Sequence, residues 1–165
     1  MFQLRFFVSL LFLVALLSVS GCDDDSPESD FQATLERAKA GNPVAQYELG
    51  VMYAEGTGVM KIPPAAVEWY RKAAEQGHTE AQNILGISYD NGEGVPEDDT
   101  EAVKWYRKAA EQGHAHAQHN LGVMYREGTG VPQDDKEFIK WSRKAAEQGL
   151  ASAQGNLGLM YANGE

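Results

Sequence analysis

The ten residues WYRKAAEQGH stand at 69–78 and again, unchanged, at 105–114, then return at 141–150 as WSRKAAEQGL. The interval is 36 residues each time, and the rest of the chain keeps the same register. Ala-Gln recurs at 45, 81, 117 and 153, followed by Leu49-Gly50-Tyr53, Leu85-Gly86-Tyr89, Leu121-Gly122-Tyr125 and Leu157-Gly158-Tyr161. A turn with two glycines and a valine comes next: GTGV at 56–59, GEGV at 92–95 and GTGV at 128–131. A fixed period of this size means that one small unit is stacked on copies of itself, each burying the face its neighbour offers. With Ala45 as origin the units run 45–80, 81–116 and 117–152, and a partial fourth occupies 153–165.

Each unit reads as two helices. In the first unit one helix covers about 43–54, with Ala45, Leu49, Met52 and Tyr53 on one side at 100° per residue. Asn42 suits its N-cap and Pro43 its first helical position. Gly50 in mid-helix costs about 1 kcal/mol relative to alanine. Its return in every unit implies close approach by a neighbouring helix. The second helix covers about 64–76, with Ala66, Trp69, Tyr70, Ala73 and Ala74 on a wide apolar face. Glu68, Arg71, Lys72 and Glu75 form a charged stripe opposite. Asp98 with Glu101, and Asp134 with Glu137, have capping-box spacing, whereas the first unit has KIPP there. Gly77, Gly113 and Gly149 fall where a helix-ending C′ residue is expected. Helices this short are marginal alone, so stacking must supply the stability.

The pattern AQ..LG..Y..G.GV followed by A..WY.KAAEQGH, at a period of 36, resembles the Sel1-like repeat, a relative of the tetratricopeptide repeat. The resemblance spans about 31–165 and implies an all-α fold: a right-handed α-α superhelix of about three helix-turn-helix repeats with partial capping units. Residues 31–44 read as an N-terminal capping helix, since Ala38 and Gly41 lie 36 residues before Ala74 and Gly77. Cysteine-rich members of that family pin each helix pair with a disulfide; the repeats here contain no cysteine. The fourth unit stops at Glu165 after one helix, so Leu157, Met160 and Tyr161 are expected to be half covered, and the sequence reads as a fragment or as ending in a cap.

Residues 1–21 read as an export signal: Arg5, then an apolar run from Phe6 to Leu17 that is too short for a membrane span of about twenty residues. Val19-Ser20-Gly21-Cys22 resembles a bacterial lipobox, which implies that the only cysteine of the chain receives a diacylglycerol. Asp23 resembles the signal that keeps such lipoproteins in the inner membrane. Residues 22–30 carry five acids and almost nothing apolar, the composition of a solvated tether. The formal charge of the whole chain is −10, which argues against a nucleic-acid surface built on clustered Lys and Arg. Five of the negative charges lie in the tether; with Arg5 set apart, residues 31–165 keep −6.

Positions that repeat are those that pack, so the variable ones mark the surface open to tuning. On the first helices these are Tyr47, Glu48, Val51, Ala54 and Glu55, then Asn83, Ile84, Ile87, Asp90 and Asn91, then His119, Asn120, Val123, Arg126 and Glu127. An aliphatic residue persists at 51, 87 and 123 amid changing polar ones. The family resemblance implies that first helices line a concave surface. The candidate partner face is therefore Tyr47, Val51, Ala54, Asn83, Ile87, Asp90, His119, Val123 and Arg126, suited to a peptide or protein, with freely drifting solvated positions as the alternative.

No chemistry competes strongly. His116 and His119 have i, i+3 spacing, but no cysteine or placed carboxylate completes a metal set, and His78 repeats His114 as part of the unit. The GxG turns lack the Lys-Ser/Thr of a phosphate loop and a preceding strand. There is no G-x-S-x-G and no S-x-x-K. The expectation is a non-catalytic protein-interaction module with no cofactor, held on a bacterial envelope membrane by Cys22 and facing the periplasm. Two alternatives stand beside it: a β-lactam-binding or hydrolysing envelope enzyme on the same fold, and a secreted effector that engages host proteins.

Overall fold

The computed structural model describes residues 26–163. Along them the chain forms helices of 13 residues each: α1 (Pro27–Lys39), α2 (Pro43–Glu55), α3 (Pro63–Glu75), α4 (Thr79–Asn91), α5 (Asp99–Glu111), α6 (Ala115–Glu127), α7 (Asp135–Glu147) and α8 (Ala151–Asn163). No strand occurs among the described residues. Each helix packs chiefly on the one before and the one after it, which makes the stack an α-solenoid. The export signal, Cys22 and residues 23–25 lie outside the described residues.

Helix boundaries follow the expected start and stop chemistry, with one correction. Residues 27–30, assigned above to the tether, form the first turn of α1. Ser26 is its N-cap, with Oγ accepting from the Ser29 N–H at 3.2 Å, and Pro27 occupies the first helical position. The acids Glu28 and Asp30 then favour the helix, since its N-terminus is the positive end of the dipole.

The first helices are capped by Asn42, whose Oδ1 accepts from Ala45 at 3.0 Å, and by His78 and His114, whose Nδ1 atoms accept from Ala81 and Ala117 at 3.2 Å. Repeated histidines thus serve as caps. Asp98 caps α5 through Glu101 N–H at 3.0 Å. The reciprocal half of the capping box does not form: Glu101 pairs with Lys104, and the Asp98 N–H donates to the Tyr89 carbonyl at 2.9 Å. At α3 the N-cap is Ile62, which has no side-chain cap bond.

The core explains which letters repeat. Ala45, Leu49, Ala81, Leu85, Ala117 and Leu121 are wholly buried. A Cβ on Gly86 would lie 2.6 Å from the Tyr106 ring, and one on Gly50 would lie 2.5 Å from Tyr70, so the close approach inferred from the mid-helix glycines is real. The second glycine of each GxG turn, with φ of 68°, 78° and 67° at Gly58, Gly94 and Gly130, presses on the start of the preceding second helix at Pro27, Pro63 and Asp99. The glutamines form a ladder. Gln46, Gln82 and Gln118 donate to the carbonyls of Ala38, Ala74 and Ala110 at 3.2, 3.0 and 3.1 Å. Each in turn accepts from Gln76, Gln112 or Gln148 at 2.6–2.8 Å. Arg71 and Arg107 donate to the hydroxyls of Tyr89 and Tyr125 at 2.7 Å, across successive repeats. These polar links join units that have no disulfides.

One departure from the repeat is compensated. Where the first two units pair Ala66 with Tyr70 and Ala102 with Tyr106, the third pairs Phe138 with Ser142, both fully buried. The large ring has moved one turn along the helix, and a Cβ on Gly122 would meet the Ser142 Oγ at 3.0 Å in place of a tyrosine ring. At the end of the stack Leu157 and Met160 are buried rather than half covered, because α7 takes up the inner face of α8. The outer position, Gly158, has nothing within 4 Å.

Candidate functional site

Two hollows open between consecutive first helices. One, about 160 Å³, lies between α2 and α4 and is lined by Ala54, Ile84, Ile87 and Ser88, with Pro63, Ala66, Val67 and Tyr70 from α3 and Lys61 and Glu93 at its edges. The other, about 240 Å³, lies between α4 and α6 and is lined by Asp90, His119, Asn120, Val123, Met124, Glu127 and Thr129. They are register mates. Ala54, Ile84, Ile87, Ser88 and Glu93 each sit 36 residues before Asp90, Asn120, Val123, Met124 and Thr129.

The structure therefore gathers Ala54 and Ile87 in one hollow and Asp90, His119 and Val123 in the next. Val51 is half-buried on α2 and lines neither. Tyr47 stacks on His78 at 4.8 Å between ring centroids and meets the Tyr70 ring at 5.9 Å, so it packs between units. Asn83 is only 4% exposed, so the expectation of an open-face residue does not hold there: α4 turns it inward, and its Oδ1 meets no donor. Arg126 is exposed, 5.1 Å over the Phe138 ring and 3.6 Å from Glu127. Lys61, Val67 and Tyr70 also line the first hollow; they come from the second helix and its approach, and of the three only Tyr70 figured above, as a core residue.

Electrostatics separate the two hollows. Asp90 Oδ2 accepts from the Tyr106 hydroxyl at 3.1 Å. Burial, with the Asp90 carboxylate beside it, pushes that hydroxyl far above its ordinary range, so it stays a donor. Burial likewise raises Tyr70. His119 is held below its usual pKa by burial and by the neighbouring His116 and Arg126, and its buried Nδ1 meets no partner. The first hollow is apolar with one charge of each sign at its edge; the second carries two carboxylates. Among the described residues no three His, Cys, Asp or Glu side chains are grouped to hold a metal. His114 uses one ring nitrogen as a cap and the other on Glu80 at 2.8 Å, which ties α4 to the start of α6.

The fold and its repeat have known counterparts. Residues 43–78, 79–114, 115–150 and 151–165 match the Sel1 repeat model, two residues earlier in phase than units counted from Ala45. The chain is similar to the crystal structure of a protective antigen present in uropathogenic Escherichia coli strains displaying an SLR fold, with 48% identity and a TM-score of 0.78, covering 81% of this chain and 29% of that one. It is similar to a Sel1 repeat protein from Oxalobacter formigenes at 44% identity and a TM-score of 0.78, covering 83% of this chain and 56% of that one. Cysteine-rich protein B of Helicobacter pylori shares the fold at 21% identity and a TM-score of 0.63, covering 79% of this chain and 97% of that one. No curated protein matches the chain. The chain thus spans 29% and 56% of the length of the first two structures.

Proposed function

The chain belongs to the Sel1 repeat family, whose repeats commonly mediate protein–protein contact, and from that premise we propose that it is a non-catalytic adaptor or scaffold of a bacterial cell envelope. The observation that carries the reading is the pair of register-matched hollows on α2, α4 and α6. The hollow recurs at the same register with its size and chemistry changed, from an apolar 160 Å³ backed by α3 to 240 Å³ with two carboxylates, which is how a repeat surface reads a partner. An adaptor needs a rigid platform of this kind, and the glutamine ladder and Arg–Tyr links supply the rigidity.

The finer reading places the solenoid on a membrane through a lipid on Cys22, facing the periplasm. The lipobox-like Val19-Ser20-Gly21-Cys22 and the acids after it support that placement. Metabolic labelling with a radioactive fatty acid tests the anchor: label is expected on the wild-type chain and absent from Cys22→Ser. The groove is tested by replacing Val51, Ile87 and Val123 with Ser together. Partners captured from solubilised envelope membranes by the wild type are expected to be lost with the circular dichroism spectrum unchanged, and their retention would refute the groove.

A further inference from the structure

Resting on that reading of the groove, we infer that its partner is an extended basic peptide: an aliphatic side chain fills the hollow between α2 and α4, and a lysine or arginine three residues away fills the hollow between α4 and α6.

The first hollow has the shape and chemistry for an aliphatic group. An apolar cavity of about 150 Å³ is large enough to hold a benzene ring, so a branched aliphatic side chain fits the 160 Å³ between Ala54, Val67, Ile84 and Ile87. Its edge charges, Lys61 and Glu93, are opposite in sign and select for neither. The second hollow keeps an aliphatic wall at Val123 but replaces Ala54 by Asp90 and Ile84 by Asn120, and adds Glu127. Asp90 is fixed by the Tyr106 hydroxyl, so it is an acceptor already aimed and needs no reordering on binding. Arg126 offsets part of the charge of Glu127 at 3.6 Å, but its guanidinium lies over Phe138 and is not part of the lining. The hollow is left net acidic, on a domain that carries −6 over residues 31–165 and so attracts cations before contact.

Spacing follows from the stack. The two hollows flank α4, and a helix with its side chains is about 10 Å across. A chain in the polyproline II conformation advances about 3.1 Å per residue and returns a side chain to the same face every third residue, about 9 Å on. Side chains that reach consecutive hollows are therefore three residues apart.

The test is an NMR titration of the ¹⁵N-labelled chain with the octapeptide acetyl-Gly-Ser-Leu-Ser-Gly-Lys-Ser-Gly-amide and with its Lys→Glu and Leu→Ser relatives. Amide shifts are expected on α4 and α6, with affinity falling at least about tenfold for either altered peptide. Asp90→Asn with Glu127→Gln should remove the preference for lysine over glutamate while leaving the leucine requirement. Glu127→Gln alone, at an exposed side chain 3.6 Å from Arg126, should weaken that preference without risk to the fold. Binding on α4 and α6 that ignores Lys→Glu overturns the basic peptide and leaves the groove standing. Binding mapped to other helices overturns both. Absence of binding by all three peptides overturns the basic peptide, and the Val51, Ile87 and Val123 capture experiment then decides the groove.

Discussion

Replacing Gly86 with alanine puts helix propensity and packing in direct opposition. In a helix interior alanine is better than glycine by about 1 kcal/mol. Against that, the new Cβ would stand 2.6, 2.7 and 3.1 Å from three carbons of the Tyr106 ring. Ordinary contact begins near 3.5 Å, so the ring has to move by about 1 Å. It has nowhere to go, being 1% exposed and tied through its hydroxyl to Asp90 at 3.1 Å. Overfilling a rigid core costs about 1–3 kcal/mol, and this geometry belongs at the upper end. The net expectation is a destabilisation of about 1–2 kcal/mol, a loss of about 3–8 °C in melting temperature for an array of this length. Two sister substitutions calibrate the result. Gly122→Ala meets Ser142 Oγ at 3.0 Å, the Phe138 carbonyl at 3.4 Å and Phe138 Cδ2 at 3.6 Å, a single tight contact, and should be near neutral. Gly158→Ala has open space and should stabilise by up to about 1 kcal/mol. Thermal melts followed by circular dichroism at 222 nm give the order. A Gly86→Ala variant as stable as Gly158→Ala would refute the claim that close helix approach keeps glycine in the repeat.

Three other outcomes follow from the capping and packing of the stack. Ile62→Asp should stabilise α3 by about 1 kcal/mol, measured by urea unfolding, since Ile62 (φ −139°, ψ 88°) already has nearly the backbone geometry of the Asp98 cap (φ −154°, ψ 95°) and lacks only the acceptor. Phe138→Ala should cost about 3–5 kcal/mol and Ser142→Tyr about 1–3 kcal/mol, yet the double variant should cost less than their sum by at least about 1 kcal/mol in a double-mutant cycle. Simple additivity there would sink the idea that the ring moved one turn. His119 binds its proton less readily folded than unfolded, so its contribution is fully present above the unfolded pKa of about 6.5 and is lost as pH falls toward the lower folded value. His119→Gln should therefore flatten the loss of stability between about pH 7 and pH 5, read from urea unfolding at each pH.

The period of 36, the glycines at 50, 86 and 122 and the caps at Asn42, Asp98 and Asp134 state the fold in local terms. Helix starts and stops depend on backbone groups within four residues, and the repeat multiplies each signal. What the local code could not give is set across units. Asp98 and Glu101 have capping-box spacing, yet the Tyr89 carbonyl, nine residues back, takes the Asp98 N–H. Asn83 occupies the same turn position as Tyr47 and His119, and only packing decides that it is buried while they are half exposed. The glutamines of AQ and EQG look like solvated polar residues in one dimension. Their partners lie 8 and 30 residues away, so their role appears only once the units stack.

The sequence alone determined the helices, their order and the face on which variation collects, because those follow from propensity, capping and a 3.6-residue period. Only the tertiary structure decided that this face contains two hollows, one apolar and one acidic. A hollow is the gap left between side chains of helices 36 residues apart, and its depth depends on how α3 and the Tyr106 hydroxyl fill the space beneath.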